Sequence, residues 1–156
     1  MPSFRHETIG GRPLIPKLPS PRIGSSLVAL SNGQLLMVGG ATYDTSGYRS
    51  LDEVLLLKEP GVDRTWTKLC PTPYRLHSAL LVAVDKDVYA IGGITDRQDP
   101  KGVHTGVLVM QRGCTQHVHK EDDYVWEPWG SLPGPLLGME AVLFSADDTR
   151  RDDTSA

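Results

Sequence analysis

The sequence predicts an all-β chain built from a repeated four-stranded unit, and three observations carry that reading. Leu35-Leu36-Met37-Val38-Gly39-Gly40 returns 53 residues later as Val88-Tyr89-Ala90-Ile91-Gly92-Gly93. Four apolar residues running into a Gly pair describe a buried strand ending where the backbone takes a turn that side chains resist. The flanks repeat in register as well: Arg75 to Met110 can be laid without a gap on Arg22 to Leu57. Arg75 then falls on Arg22, Ser78 on Ser25, Leu80 on Leu27, and Val107-Leu108 on Val54-Leu55. The short apolar runs, finally, are bounded by Gly, Pro and Asn, as strands are.

Within the first unit the strands follow in order. Ser25 to Leu30 is apolar with small residues, Asn32-Gly33 supplies a turn with positive φ, and Leu35 to Val38 returns antiparallel. Gly39 and Gly92 are expected at positive φ. Ala41 to Ser50, with Tyr43, Tyr48 and Arg49, is polar and predicts a loop. Val54 to Leu57 is the third strand; Pro60-Gly61 breaks the chain before Trp66 to Leu69, the fourth and outermost strand.

The second unit departs from the first only after Met110, where the polar insertion Gln111 to Val125 predicts a surface loop before Trp126 and Trp129. Trp129-Gly-Ser-Leu132 matches Trp66-Thr-Lys-Leu69, which makes Trp129 the expected counterpart of Trp66. Met139 to Phe144 would open a third unit. Upstream, residues 1–20 form a Pro-rich segment, and Ile15-Pro-Lys-Leu18 has the outline of the last strand of a preceding unit. The repeat region is expected over 21–144 and a disordered polar tail over 145–156.

Composition narrows the function classes. The 156 residues are 39% hydrophobic, enough for one packed core, and sixteen basic against nineteen acidic residues give a net charge of -3. That balance lacks the basic footprint of a nucleic-acid binder. No apolar run reaches the roughly 18 residues of a membrane span, and the first 21 residues lack the apolar core of a signal peptide. The expectation is a soluble, cytoplasmic protein with Cys70 and Cys114 as free thiols.

A period near 50 residues with four short strands, Gly-Gly and a trailing Trp resembles the kelch motif. Pro21-Arg22, Gly39-Gly40, Trp66-x-x-Leu69, Arg75, Gly92-Gly93 and Trp129-x-x-Leu132 carry the resemblance. It implies an incomplete kelch-type β-propeller: two complete four-stranded blades plus partial ones, where such rings use four to eight. A blade packs a face on each neighbour. An open face therefore forgoes on the order of 10 kcal/mol at about 25 cal/mol per Å², so self-association through open faces is expected.

By the same resemblance the leading function is a protein-interaction scaffold that presents loop residues to a protein or acidic peptide, as a fragment of a larger propeller, with no catalysis and no cofactor. Arg22, Tyr48, Arg49, Arg75 and Arg97 are the candidate contacts, because a guanidinium holds a carboxylate bidentately and Arg and Tyr dominate many interfaces. The alternative is a fragment of a kelch-propeller enzyme: a sugar isomerase, a copper oxidase, or a tRNA-modifying methyltransferase-like protein. Cys114, His117 and His119, with His104, have metal-ligand chemistry, but the acidic run Glu121-Asp122-Asp123 beside them reads as a solvated loop, and no metal is assigned. His77 could act as a base; its position at the start of a unit suits a structural role better.

Overall fold

The computed structural model describes residues 8–9, 12–13, 15–95, 105–112 and 124–134. All regular structure among these residues is antiparallel β, and no helix long and apolar enough to cross a membrane is present among them. A short ladder, β1 (Thr8–Ile9) with β2 (Arg12–Pro13), precedes two four-stranded sheets. The first sheet is the meander β3 (Ser26–Ala29), β4 (Leu35–Val38), β7 (Val54–Leu57) and β8 (Thr67–Lys68). Between its second and third strands stands a separate hairpin, β5 (Ala41–Asp44) with β6 (Gly47–Ser50). The second sheet repeats the order with β9 (Leu80–Val84), β10 (Asp87–Ile91), β11 (Gly106–Arg112) and β12 (Tyr124–Ser131).

Two stretches expected as loops are partly strand. The segment 41–50 folds into β5 and β6, since Thr42, Tyr43 and Tyr48 are good strand formers and Gly47 takes φ +107° beside a two-residue turn. The insertion is narrower than its polar sequence suggests: β11 runs on to Arg112 and β12 begins at Tyr124, so the two strands extend past Met110. Residues 113–123, with Cys114, His117 and His119, lie outside the described residues, as do Arg97, His104, Met139 to Phe144 and the tail from Ser145.

The gapless overlay fails by one residue in the first strand. Leu35, Leu36, Met37 and Val38 face Leu57, Leu56, Leu55 and Val54, and the residues 53 further on pair identically. In the first strand, however, Ser26 pairs with Val38 whereas Leu80 pairs with Ile91, a spacing of 54. The turns explain the slip. The Gly33 N-H donates to the Leu30 carbonyl at 2.9 Å and the Leu30 N-H to that of Gln34 at 2.8 Å, a type I turn closed by a bulge at Gly33, φ +83°. The second hairpin turns in two residues, Asp85 and Lys86, with Asp85 at φ +54°. One residue is saved, and everything before it moves back by one.

The tryptophan correspondence changes for a similar reason. Trp126 pairs with Met110, the counterpart of Leu57, and a bulge at Val107/Leu108 leaves Trp129 as the extra residue between Pro128 and Gly130. Trp126 and Trp66 are buried at 8% and 7% exposure, whereas Trp129 is 66% exposed and meets Tyr89 edge-on at 5.5 Å. The W-x-x-L match selected the wrong ring.

Alternation then builds the core. Leu36, Val38, Val54 and Leu56 project from one face of the first sheet and meet Val88, Ala90, Leu108, Met110 and Trp126 of the second. The opposite face of the first sheet gathers Leu55, Leu57 and Trp66 with Leu35, Met37 and Leu18. Leu69 packs on the shared core as Leu18 packs on that second face, and the Trp66 indole N-H donates to the Pro16 carbonyl at 3.2 Å. Residues 15–18 themselves form no strand.

The first Gly pair sits at the joint between the sheets, and the second closes on the leading segment of its own sheet. Gly39, Gly40, Gly92 and Gly93 have φ of +60°, +100°, +63° and +95°. The Gly40 N-H donates to the Leu76 carbonyl at 3.0 Å, and a Cβ on Gly39 would lie 1.9 Å from that same oxygen. Gly39→Ala combines left-handed strain with a backbone collision, so a loss of at least about 3 kcal/mol is expected by chemical denaturation, whereas Gly130→Ala, with nothing within 4 Å, should be near neutral. Trp126→Ala should cost about 3–5 kcal/mol by the same measurement and Trp129→Ala less than about 1 kcal/mol. Equal losses for the two tryptophans would restore the original correspondence.

Candidate functional site

Two isolated bridges define one end of the sheets. Ile23 pairs with Ala41, the first residue of β5, and His77 pairs with Ile94 just past the second Gly pair. The segments leading into both sheets are thereby tied to the backbone that follows each Gly pair. This places Arg22, Arg75 and the β5–β6 hairpin at the same end. It also shows that Arg22 and Arg75 are not counterparts: with Ile23 matched to His77, Arg22 corresponds to Leu76.

Arg22 is turned inward. Its side chain is 1% exposed, and Nη2 donates to Glu53 Oε2 at 2.7 Å and to Ser20 Oγ at 3.0 Å. Nη1 reaches the Gly39 carbonyl at 3.4 Å. Leu76, at the matching place, is 1% exposed and belongs to the core. The same burial is met once by a hydrocarbon and once by a guanidinium that carries its own carboxylate. Such a pair is costly to break, because it would leave a desolvated charge behind.

Tyr48 is held by the second sheet's leading segment. Its hydroxyl lies 2.6 Å from His77 Nε2, and the rings meet edge-on at 5.3 Å. His77 Nδ1 lies 3.1 Å from the hydroxyl of Ser50, which is fully buried. Both ring nitrogens of a buried histidine are thus engaged by β6, an arrangement suited to clamping the hairpin against the joint. Neighbouring strand residues point to opposite sides, so Arg49, exposed between Tyr48 and Ser50, projects from the other face of the hairpin with its cross-strand partner Thr42.

Other groups at this end face solvent. Tyr43 is 81% exposed, Ile23 is 67% exposed, and Arg75 is exposed. Tyr43 pairs directly with Tyr48 and so shares its side of the hairpin. Of the five sequence candidates, Arg49 and Arg75 are presented outward, Tyr48 is half-buried on His77, Arg22 is enclosed, and Arg97 lies outside the described residues. Tyr43 and Ile23 join them, since the bridges tie their segments to this end. At the opposite end, the two turns enclose a cavity of about 240 Å³ over Val88 and Met110. Its rim carries Asp85, Asp87 and Lys86, of mixed sign.

Comparison with known proteins adds the fold. No family model and no curated protein matches the chain. One hundred chains of solved structures match it. One of them, described as "Structure of YjhT", is 17% identical with a TM-score of 0.55 over 80% of this chain and 32% of that one. The chain thus spans about a third of that protein's length, and the likeness concerns the fold alone.

The Glu53 carboxylate has a consequence for acid stability. The Lys68 ammonium hydrogen-bonded to it, and then Arg22, hold its pKa below the ordinary value against the opposing effect of burial. A carboxylate lowered in the folded state stabilises the fold above its unfolded pKa, and this contribution is lost as pH falls through the folded one. Wild-type stability is therefore expected to decline below about pH 4.5 more steeply than that of Glu53→Gln in acid titrations followed by circular dichroism. Parallel curves would remove the coupling.

Proposed function

We propose that the chain is part of a kelch-type β-propeller, a blade for each four-stranded sheet, and that it acts as a protein-interaction scaffold without chemistry of its own. The single observation that carries the binding role is the convergence produced by the two bridges: Tyr43 and Arg49, on a hairpin clamped by His77, stand exposed at the same end as Ile23 and Arg75 of the leading segments. Sheet meanders stacked face to face, with a positive-φ Gly pair after the second strand of each, support the propeller reading.

Aromatic and guanidinium groups on a held backbone lose little entropy on binding, and Arg selects carboxylates. The partner is accordingly an acidic peptide segment of a protein. Arg22 belongs in this reading to the scaffold, since its guanidinium is already committed to Glu53. His77 does as well, with both nitrogens engaged by the hairpin it supports.

An array of acidic peptides, scored by fluorescence anisotropy, tests the reading. Arg49→Ala and Arg75→Ala should each weaken the best binder by about thirtyfold, equivalent to about 2 kcal/mol, without moving the melting temperature. Arg22→Ala should instead lower stability by about 2 kcal/mol. Affinity unchanged in both exposed-arginine variants, or no peptide bound by wild type, would overturn the assignment.

A further inference from the structure

The two sheets carry the same pair of faces, and among the described residues only one of each is matched within the chain. Call the side of the first sheet with Leu35, Met37, Leu55, Leu57 and Trp66 the leading face. Its counterpart on the second sheet, by ladder register, is Val88, Ala90, Leu108, Met110 and Trp126. The trailing face of the first sheet, Leu36, Val38, Val54 and Leu56, corresponds to Tyr89, Ile91, Val107 and Val109 of the second. The core of the molecule is one trailing face seated on one leading face.

Burial shows what the outer copies lack. Val88 and Ala90 are each 1% exposed in the joint, but their counterparts Leu35 and Met37 are only half-buried. Leu36 and Val38, at 0% and 2%, correspond to Tyr89 and Ile91, again half-buried. On both outer faces the deficit falls on the first two strands, with Leu27 49% exposed beside Met37 and Val84 40% exposed on the Tyr89 side, while Leu55 and Leu57 of β7 and Val107 and Val109 of β11 are buried. Trp129 and Ile15 stand exposed at 66% and 48%, Trp129 against Tyr89 and Ile15 just ahead of the Pro16 carbonyl that holds Trp66.

We infer that these outer faces bind a second copy of the chain head to tail, the Tyr89 and Ile91 side of one copy docking on the Leu35 and Met37 side of the next. The joint inside each chain is the template: the same alternation, at the same register, already packs Leu36 and Val38 against Val88 and Ala90. Among the described residues, this is the complementarity the molecule itself displays for those faces. The contact joins different surfaces, so it is heterologous and can continue through further copies until a ring closes. This inference does not use the loop end assigned to peptide binding, and the two fail separately.

Sedimentation velocity of the chain, in reductant because Cys70 is an exposed free thiol, provides the test. Wild type should show mass rising with concentration across the micromolar range. Met37→Glu and Tyr89→Glu should each remain monomeric, while an equimolar mixture of the two should form a species of twice the chain mass and nothing larger, because each retains one intact face. The double variant Met37→Glu/Tyr89→Glu should not associate with either. A wild-type chain that stays monomeric at about 100 μM overturns the proposal without relying on any variant. Association abolished by Met37→Glu but kept by Tyr89→Glu, with no rescue on mixing, would replace it with a symmetric contact.

Discussion

The close approach of the Leu76 carbonyl to Gly39 and Gly40 is the constraint on which the arrangement of the sheets depends. The Leu76 N-H donates to the Leu51 carbonyl at 2.9 Å, its carbonyl accepts from Gly40, and the Leu51 N-H donates to the Gly40 carbonyl at 2.8 Å. Three backbone segments are thus interlocked within one residue of each other. Only an unsubstituted backbone at positive φ leaves room for this. The Leu76 side chain then enters the shared core, so the hydrogen-bonded joint and the apolar joint are held by the same residue.

Around that joint, the differences between the sheets follow from what each must accommodate. The turn after β3, one residue longer than the two-residue turn after β9, places Ile23 and His77 in matching bridges, although the sequence overlay assigns Ile23 to Leu76. The segments remain linked across the sheets: the Ser78 N-H donates to the Gly24 carbonyl at 2.7 Å and the Ser26 hydroxyl to that of Ala79. Ser78 takes φ +56°, matching Gly24 at +61°. A serine in the left-handed region costs on the order of 1 kcal/mol, which the joint sustains through these contacts.

The exposed end inherits its order from the same place. Hairpin β5–β6 buries little of itself; among the described residues Ala41 and Ser50, at its base, are its buried members. What holds it is the bridge to Ile23 and the Tyr48 and Ser50 bonds to His77, a residue of the second sheet's leading segment. Loss of the joint would therefore loosen the surface that carries Tyr43 and Arg49. The hairpin and the second sheet's leading segment are linked there through the His77 imidazole.

Much of the fold was legible in the residues because the signals were local. Leu35 to Val38 and Val54 to Leu57 were recognised with their observed bounds, since a short apolar run flanked by Gly or acidic residues decides its own conformation, and Gly39 and Gly92 take the expected positive φ. Register was not local. Ser25-Ser26-Leu27-Val28 and Ser78-Ala79-Leu80-Leu81 look alike in either alignment, and a single slip exchanges the faces of a strand. Turn length and ladder hydrogen bonds settled it, as a bulge settled Trp126 over Trp129. The candidate site divided in the same way: sequence identified arginines by chemistry, but only the fold placed Glu53 and Gly39 around Arg22 and left Arg49 and Arg75 outside. A side chain's type is written in the chain, whereas its burial depends on which distant backbone arrives beside it.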